Sequence, residues 1–422
     1  MEIALMPPIP RDTQFDSTLA LLSAPYDFIS LRCARYRADL FEARLLLRRT
    51  ICMKGPEAAE LLCDIDRFER RGAMPLRIQK TLLGQGGVQG LDAAAHRHRK
   101  AMFMALMTPE RIGRLGALSA DAWRASSQKW AVSSHVTLYS EVQELLTRAV
   151  CEWTGIPLEA AEVPRRTREL TALFDAAGAI GPKHWWSRLA RRRAERWIGD
   201  IIRQIRAGRL TPAEESPAHA IAWHRELNGE LLRPRVAAVE LLNLLRPTVA
   251  VSVYIVHVAH ALHQHPECRE RLRACEDGYA GRFLQEVRRF YPFFPAVAAR
   301  VRSDFDWKGY RFPRGRRVML DLYGTNHDAR SWDAPEEFRP ERFQAWDGSP
   351  FNFIPQGPGD HHLNHRCPGE WITLELMKVA VEFLACRLRY DVPEQDLQID
   401  RSRLPALPRS RFFISHVQLE DR

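Results

Sequence analysis

Apolar residues recurring every three to four positions dominate the chain and predict helices over 141–153, 166–176, 191–207, 235–263 and 282–290. A further apolar face runs from Trp371 to Leu388 with no internal Gly or Pro. Strand signals are confined to short runs at 45–53, 305–312, 317–322 and 412–419. The pattern therefore predicts a mainly α protein with a minor β portion. No Gly/Ser linker, low-complexity tract or repeat divides residues 1–422, which reads as a single domain.

The segment from Val236 to His260 is apolar almost throughout, yet Arg246 and Pro247 sit in its middle. At three, four and seven positions from Arg246 lie Val239, Leu242, Asn243, Val249, Ala250 and Val253. A guanidinium on such a face would be buried, and a buried unpaired charge requires an anion. Glu240, six residues away, points elsewhere on the helix. Pro247 removes a donor and clashes with the Asn243 carbonyl, so a kink is expected, with space opened beside it. The alternative is an arginine at the end of a broken helix, snorkelling to water.

Composition narrows the class. With 422 residues, 45% of them hydrophobic, there is material for a large core. A net charge of +10 favours anionic partners, and the cluster from Arg188 to Arg196 invites a nucleic-acid reading. Acidic residues are interleaved and no nucleic-acid motif accompanies it, so a solvated helix face is the better account and no nucleic-acid partner is expected. Eight cysteines without a framework spacing suggest reduced thiols. No basic-then-apolar leader is seen, and no stretch reads as long and uncharged enough to span a bilayer. The expectation is a cytoplasmic protein without a membrane anchor.

Cys367 carries the candidate chemistry. It ends a Gly-rich loop, Phe353-Ile-Pro-Gln-Gly-Pro-Gly-Asp-His-His-Leu-Asn-His-Arg-Cys367-Pro-Gly-Glu370, that runs into a helix. Pro368 suits a first helical turn, and at a helix N-terminus the dipole and free N–H groups lower a thiol's pKa, as a metal-ligating cysteine requires. His361, His362, His365 and Cys367 could instead form a zinc cluster, although no second Cys/His pair supports it. Glu286 and Arg289, three apart, share a helical face and can pair; by themselves they would be an ordinary surface ion pair.

Together these motifs resemble a cytochrome P450: the Cys367 loop, the Glu286-x-x-Arg289 pair, and Phe338-Arg-Pro-Glu-Arg342-Phe343, whose Arg342 matches the arginine that closes the family's structural triad. The resemblance implies a single haem-thiolate domain in which heme b lies between a long kinked helix and the Cys-ligand loop and helix. It also implies that Cys367 ligates the iron. The family's acid-alcohol pair is absent from the long helix. Arg246-Pro247 resembles the bacterial fatty-acid peroxygenase branch, as do Val88-Gln-Gly-Leu-Asp, Ala105-Leu-Met-Thr-Pro, Gly178-Ala-Ile-Gly-Pro, Asp321-Leu-Tyr-Gly-Thr-Asn-His-Asp and the longer spacing from Gly357 to Cys367.

That branch implies use of hydrogen peroxide on long-chain fatty acids, without a redox partner protein. A carboxylate held by Arg246 would act as general acid-base, and oxidation would be confined to Cα and Cβ, giving 2- or 3-hydroxy acids or, by decarboxylation, terminal alkenes. By the same resemblance Gln89 sits above the haem and favours hydroxylation; the plain alternative is a loop glutamine bonded to its own backbone. His96, Lys100 and Arg70 are implied partners of the haem propionates, although His96 alone would pass for a surface or core histidine. Met74, Leu83, Phe174 and Phe293 are candidates for the alkyl channel. Two rival functions are a monooxygenase fed by redox proteins and a non-enzymatic haem binder or sensor.

Overall fold

A computed structural model describes residues 8–420. Eight long helices build the body: α1 (Ala93–Ala105), α2 (Pro109–Ala131), α3 (Leu138–Thr154), α4 (Val163–Asp175), α5 (Pro182–Arg206), α6 (Pro234–Gln264), α7 (Tyr279–Phe290) and α8 (Glu370–Val381). A five-stranded sheet stands to one side, made of β1 (Leu40–Leu45), β2 (Arg48–Met53), β3 (Phe68–Glu69), β4 (Ala296–Val301) and β5 (Arg317–Asp321), in the order β1-β2-β5-β4-β3. The β2–β5 pairing is parallel and the others are antiparallel.

The spine is α6, which packs on α3, α4, α5 and α8. It is apolar all round because neighbours cover every side, as expected of a core helix. By length and composition it could cross a membrane, contrary to the reading that no stretch could. Within the protein 89% of its apolar window is buried, so its hydrophobicity is accounted for by the core.

One alternative falls and three local expectations need correcting. Arg246 does not stand at the end of a broken helix: the helix spans Pro247 and runs for 31 residues, and Pro247 leaves only the Asn243 carbonyl without its donor. The run 45–53 is a hairpin, turning at Leu46 and Leu47, which both adopt positive φ (53° and 59°). The run 305–312 is likewise two short strands around Lys308-Gly309. The face from Trp371 ends as an α-helix at Val381, continues as a π-helical turn over Glu382–Arg387, and gives way to a strand at Leu388.

The basic cluster on α5 is only partly a solvated face. Arg192, Arg193 and Arg196 are exposed, but Arg191 is buried, pairs with Glu195 at 2.7 Å and donates to the Leu82 carbonyl.

Candidate active site

A large, mainly apolar cavity lies between α6 and the Cys367 loop. Arg246, Pro247, Ala250 and Val251 line it on one side, and Pro355, Gly357, Cys367 and Gly369 on the other. Two glycines let the walls approach. Gly359 has φ +88°, and a Cβ there would come within 2.7 Å of Cys63 Sγ. Gly87, on the loop carrying Gln89, leaves room where a Cβ would meet Val239 on α6 at 2.9 Å.

Cys367 is held from behind. Its amide donates to the Gln356 carbonyl at 3.0 Å, and the Gln356 side chain bonds Thr373 and Arg288. Arg288 is fully buried and pairs with Glu370, which also takes Arg366 at 2.7 Å and His361 at 2.8 Å. None of this mesh except His361 was marked in the sequence; the signal for it was Glu370, the acid three residues past the cysteine. Helix α8 begins at Glu370, so Pro368 lies in the turn before it. The thiol is not lowered, as a helix N-terminus alone would suggest. Burial pushes its pKa up, against the opposing pull of the Gly369 amide and Lys100. Deprotonation is then work for a bound cation.

No group of three or more His, Cys, Asp or Glu side chains able to hold a metal occurs among the described residues, which removes the zinc cluster. His361 is engaged with Glu370, and His365 stacks on His96 with ring centroids 3.9 Å apart.

Arg246 is 8% exposed and projects into the cavity. Its one hydrogen bond, from Nη2 to Asn243 Oδ1, is 3.4 Å long, and its Nε has no partner. Burial pushes its pKa down to about 9, aided by the charge of Arg191. Among the described residues no acid lies within ion-pair distance of it. Glu240 does point away, to Arg99, and also accepts from Asn243 Nδ2 at 2.9 Å. Asn243 Nδ2 reaches Gln89 Oε1 at 3.2 Å, so Gln89 is tied to α6 and not to its own backbone. Asn243 thus joins Gln89, Glu240 and Arg246. The sequence showed it only as a polar gap on the apolar face.

The other candidates converge on the same cavity. Met74, Leu83, Phe174 and Phe293 all line it, and Phe293 stacks on Tyr254 with centroids 4.4 Å apart. Arg70, His96 and Lys100 line it too. Arg70 donates to the Ala298 carbonyl at 2.6 Å, while Lys100 donates to the carbonyls of Asn364 and Arg366. Burial and the charge of Lys100 push His96 down to about 4, and burial, with the charge of Arg366, pushes Lys100 down to about 8. Neither Arg70 nor Lys100 has an ion-pair partner among the described residues. A cationic wall without anions, facing a buried thiol across an apolar cavity, fits haem with its carboxylates on that wall.

The triad motif lies apart from the cavity, with Glu286 and Arg289 fully buried and Arg342 half-buried beside them. Arg289 grips Glu286 with two bonds of 2.7 and 2.8 Å, and Arg342 reaches the same carboxylate at 3.2 Å. Both arginines then pin the segment 333–337 through its backbone carbonyls.

The sequence signature described as Cytochrome P450 matches residues 278–413. Cytochrome P450SP alpha (CYP152B1), solved in complex with (R)-ibuprofen, is 58% identical, with a TM-score of 0.94 over 96% of this chain and 99% of that one. Cytochrome P450EX alpha (CYP152N1), solved with myristic acid, is 45% identical, with a TM-score of 0.95 over 98% of this chain and 99% of that one. Cytochrome P450 71A8 of Mentha piperita is 31% identical over 134 residues, 31% of this chain and 26% of that protein's length. A cysteine loop facing a continuous core helix across an apolar cavity, and likeness over nearly the whole length of solved CYP152 structures, lead to one assignment: this chain belongs to the cytochrome P450 family, within its CYP152 group.

Proposed function

We propose that this protein is a peroxygenase, using hydrogen peroxide to oxidise long-chain fatty acids at Cα or Cβ. The observation that carries the reading is Arg246: a buried guanidinium without an acid, in the same apolar cavity as Cys367. A fatty-acid carboxylate supplies the missing anion through a bidentate pair. The relatives solved with (R)-ibuprofen and with myristic acid, both carboxylic acids, support it.

Cys367 would hold the iron of heme b, and Arg70, His96 and Lys100 its propionates. When bound, the haem supplies an oxidising iron centre whose thiolate ligand favours O–O cleavage. The protein's share is placement. Asn243 and Gln89 fix the approach to Arg246. Arg246 keeps the substrate carboxylate ionised, so that this carboxylate takes a proton from one peroxide oxygen and returns it to the other. Met74, Leu83, Phe174 and Phe293 enclose the alkyl chain and exclude water. With the carboxylate pinned, only Cα and Cβ lie within reach of oxidation. Gln89 favours hydroxylation over decarboxylation to terminal alkenes. Residues 1–422 act as one haem domain in the cytoplasm, without nucleic acid or redox partner.

The test is product analysis of purified holoprotein with a saturated fatty acid and hydrogen peroxide alone, against the same protein with ferredoxin, its reductase and NAD(P)H. Hydroxy acids with peroxide alone support the reading. Turnover only with the reductase system would assign a conventional monooxygenase, and no turnover in either would favour a haem sensor.

A further inference from the structure

The five-stranded sheet collects arginines at one end. Arg300 on β4 and Arg317 on β5 are direct cross-strand partners, an arrangement that costs stability between like charges unless an anion offsets it. Arg48 opens β2, two residues before Thr50, which pairs in parallel with Arg317. With Arg49, Arg314 and Arg316 they surround an open-sided cavity whose remaining lining among the described residues is Gly72, Ala73 and Gly315. Among the described residues no carboxylate lines it. The nearby acids are already engaged: Glu42 takes Arg316 and, at 3.7 Å, Arg49, while Glu69 takes Arg300 at 2.7 Å.

Three guanidiniums remain. Among the described residues, the side chains of Arg48, Arg314 and Arg317 make neither a hydrogen bond nor an ion pair. Arg317 is the telling one: the residue as a whole is 9% exposed, and its guanidinium opens into the cavity. A cation fixed on a strand beside Arg300, with no acid to pair with, is suited to take up an anion. We propose that this cavity binds a phosphate-bearing anion at a site separate from the fatty-acid cavity, with Arg48, Arg314 and Arg317 as its ligands. Three unpaired charges match a pyrophosphate or phosphate ester better than a single carboxylate, and guanidiniums bind phosphate oxygens bidentately. The two cavities share no lining residue, yet they adjoin: Ala73 lines one and Met74 the other, and on β4 Arg300 lines one and Ala298 the other.

The phosphate can come from a soluble molecule or from a lipid headgroup, and the test separates the two. Holoprotein is titrated calorimetrically with sodium pyrophosphate at fixed ionic strength, with myristate in parallel, and is sedimented with phosphatidylglycerol or phosphatidylcholine vesicles. The variants are Arg317→Gln and, in case that buried position disturbs folding, the exposed pair Arg48→Gln and Arg314→Gln. Saturable pyrophosphate binding, weakened about tenfold or more by either variant, supports a soluble phosphate ligand. Sedimentation with phosphatidylglycerol alone, lost in the same variants, supports a headgroup. No binding in either arm, binding unchanged within twofold in the variants, or pyrophosphate displaced by myristate overturns the proposal.

Discussion

Arg246→Met keeps an unbranched apolar stem and removes only the charge, so it separates what Arg246 does for stability from what it does for binding. Arg246 is 8% exposed, its Nε is unsatisfied and its one hydrogen bond is 3.4 Å long. A buried donor left unsatisfied costs about 1–3 kcal/mol. Replacement by Met is therefore expected to leave stability unchanged or raise it by about 1 kcal/mol, although most buried substitutions destabilise. With a fatty acid bound the balance inverts. Each charge-assisted hydrogen bond of a bidentate pair contributes about 1.5–3 kcal/mol, so losing both weakens binding by about 3 kcal/mol or more, roughly 150-fold. The assay is a titration of the holoprotein with myristate, read from the haem absorption band, beside thermal unfolding of the same samples. Arg246→Lys, which keeps a charge but not the fork, should fall between wild type and Met. A Met variant that loses about 3 kcal/mol of stability while binding myristate within threefold of wild type would refute the reasoning. Arg246 would then be a structural cation and not the carboxylate's dock.

Four further outcomes are expected. Glu286→Gln leaves Arg289 charged and buried without its acid, and should cost about 3–5 kcal/mol in denaturant unfolding; a loss below about 1 kcal/mol would show that the carbonyls of 333–337 suffice. His257 and His327 are pushed down to about 3, and His260 to about 4, mainly by burial. The unfolded chain protonates these groups from about pH 6.5 while the folded one does not, so stability should fall as pH drops below 6.5 and level off near pH 3. An unfolding midpoint equal at pH 7 and pH 5 would contradict this, and His257→Phe, preserving the stack on Tyr291, should flatten the acid limb. Lys100→Met should release haem several-fold faster to a haem-scavenging protein if Lys100 holds a propionate, with no change if it serves only the carbonyls of Asn364 and Arg366. Gln89→His should raise the alkene share seen by mass spectrometry; an unchanged ratio removes Gln89 from product partition.

What could be read from the sequence was whatever depends on spacing within one element. The positions of α3, α4 and α6 follow from apolar periodicity, and Arg246 stands out because its three-, four- and seven-residue neighbours are nearly all apolar. The Glu286–Arg289 pair is likewise a three-residue contact. What could not be read depends on residues brought together from afar: Arg99 meets Glu240 across 141 positions, and Arg288 meets Glu370 across 82. The misreadings share that cause. A helix-terminus argument lowers the Cys367 thiol, but enclosure raises it; a charge-cluster rule puts Arg191 in water, but α5 turns it inward to Glu195. In each case burial outweighs the local rule. The role proposed for Arg246 rests on the same enclosure, because an arginine that water could reach would gain little by taking up a lipid's acid group, whereas one held in an apolar cavity without a counter-ion gains a great deal.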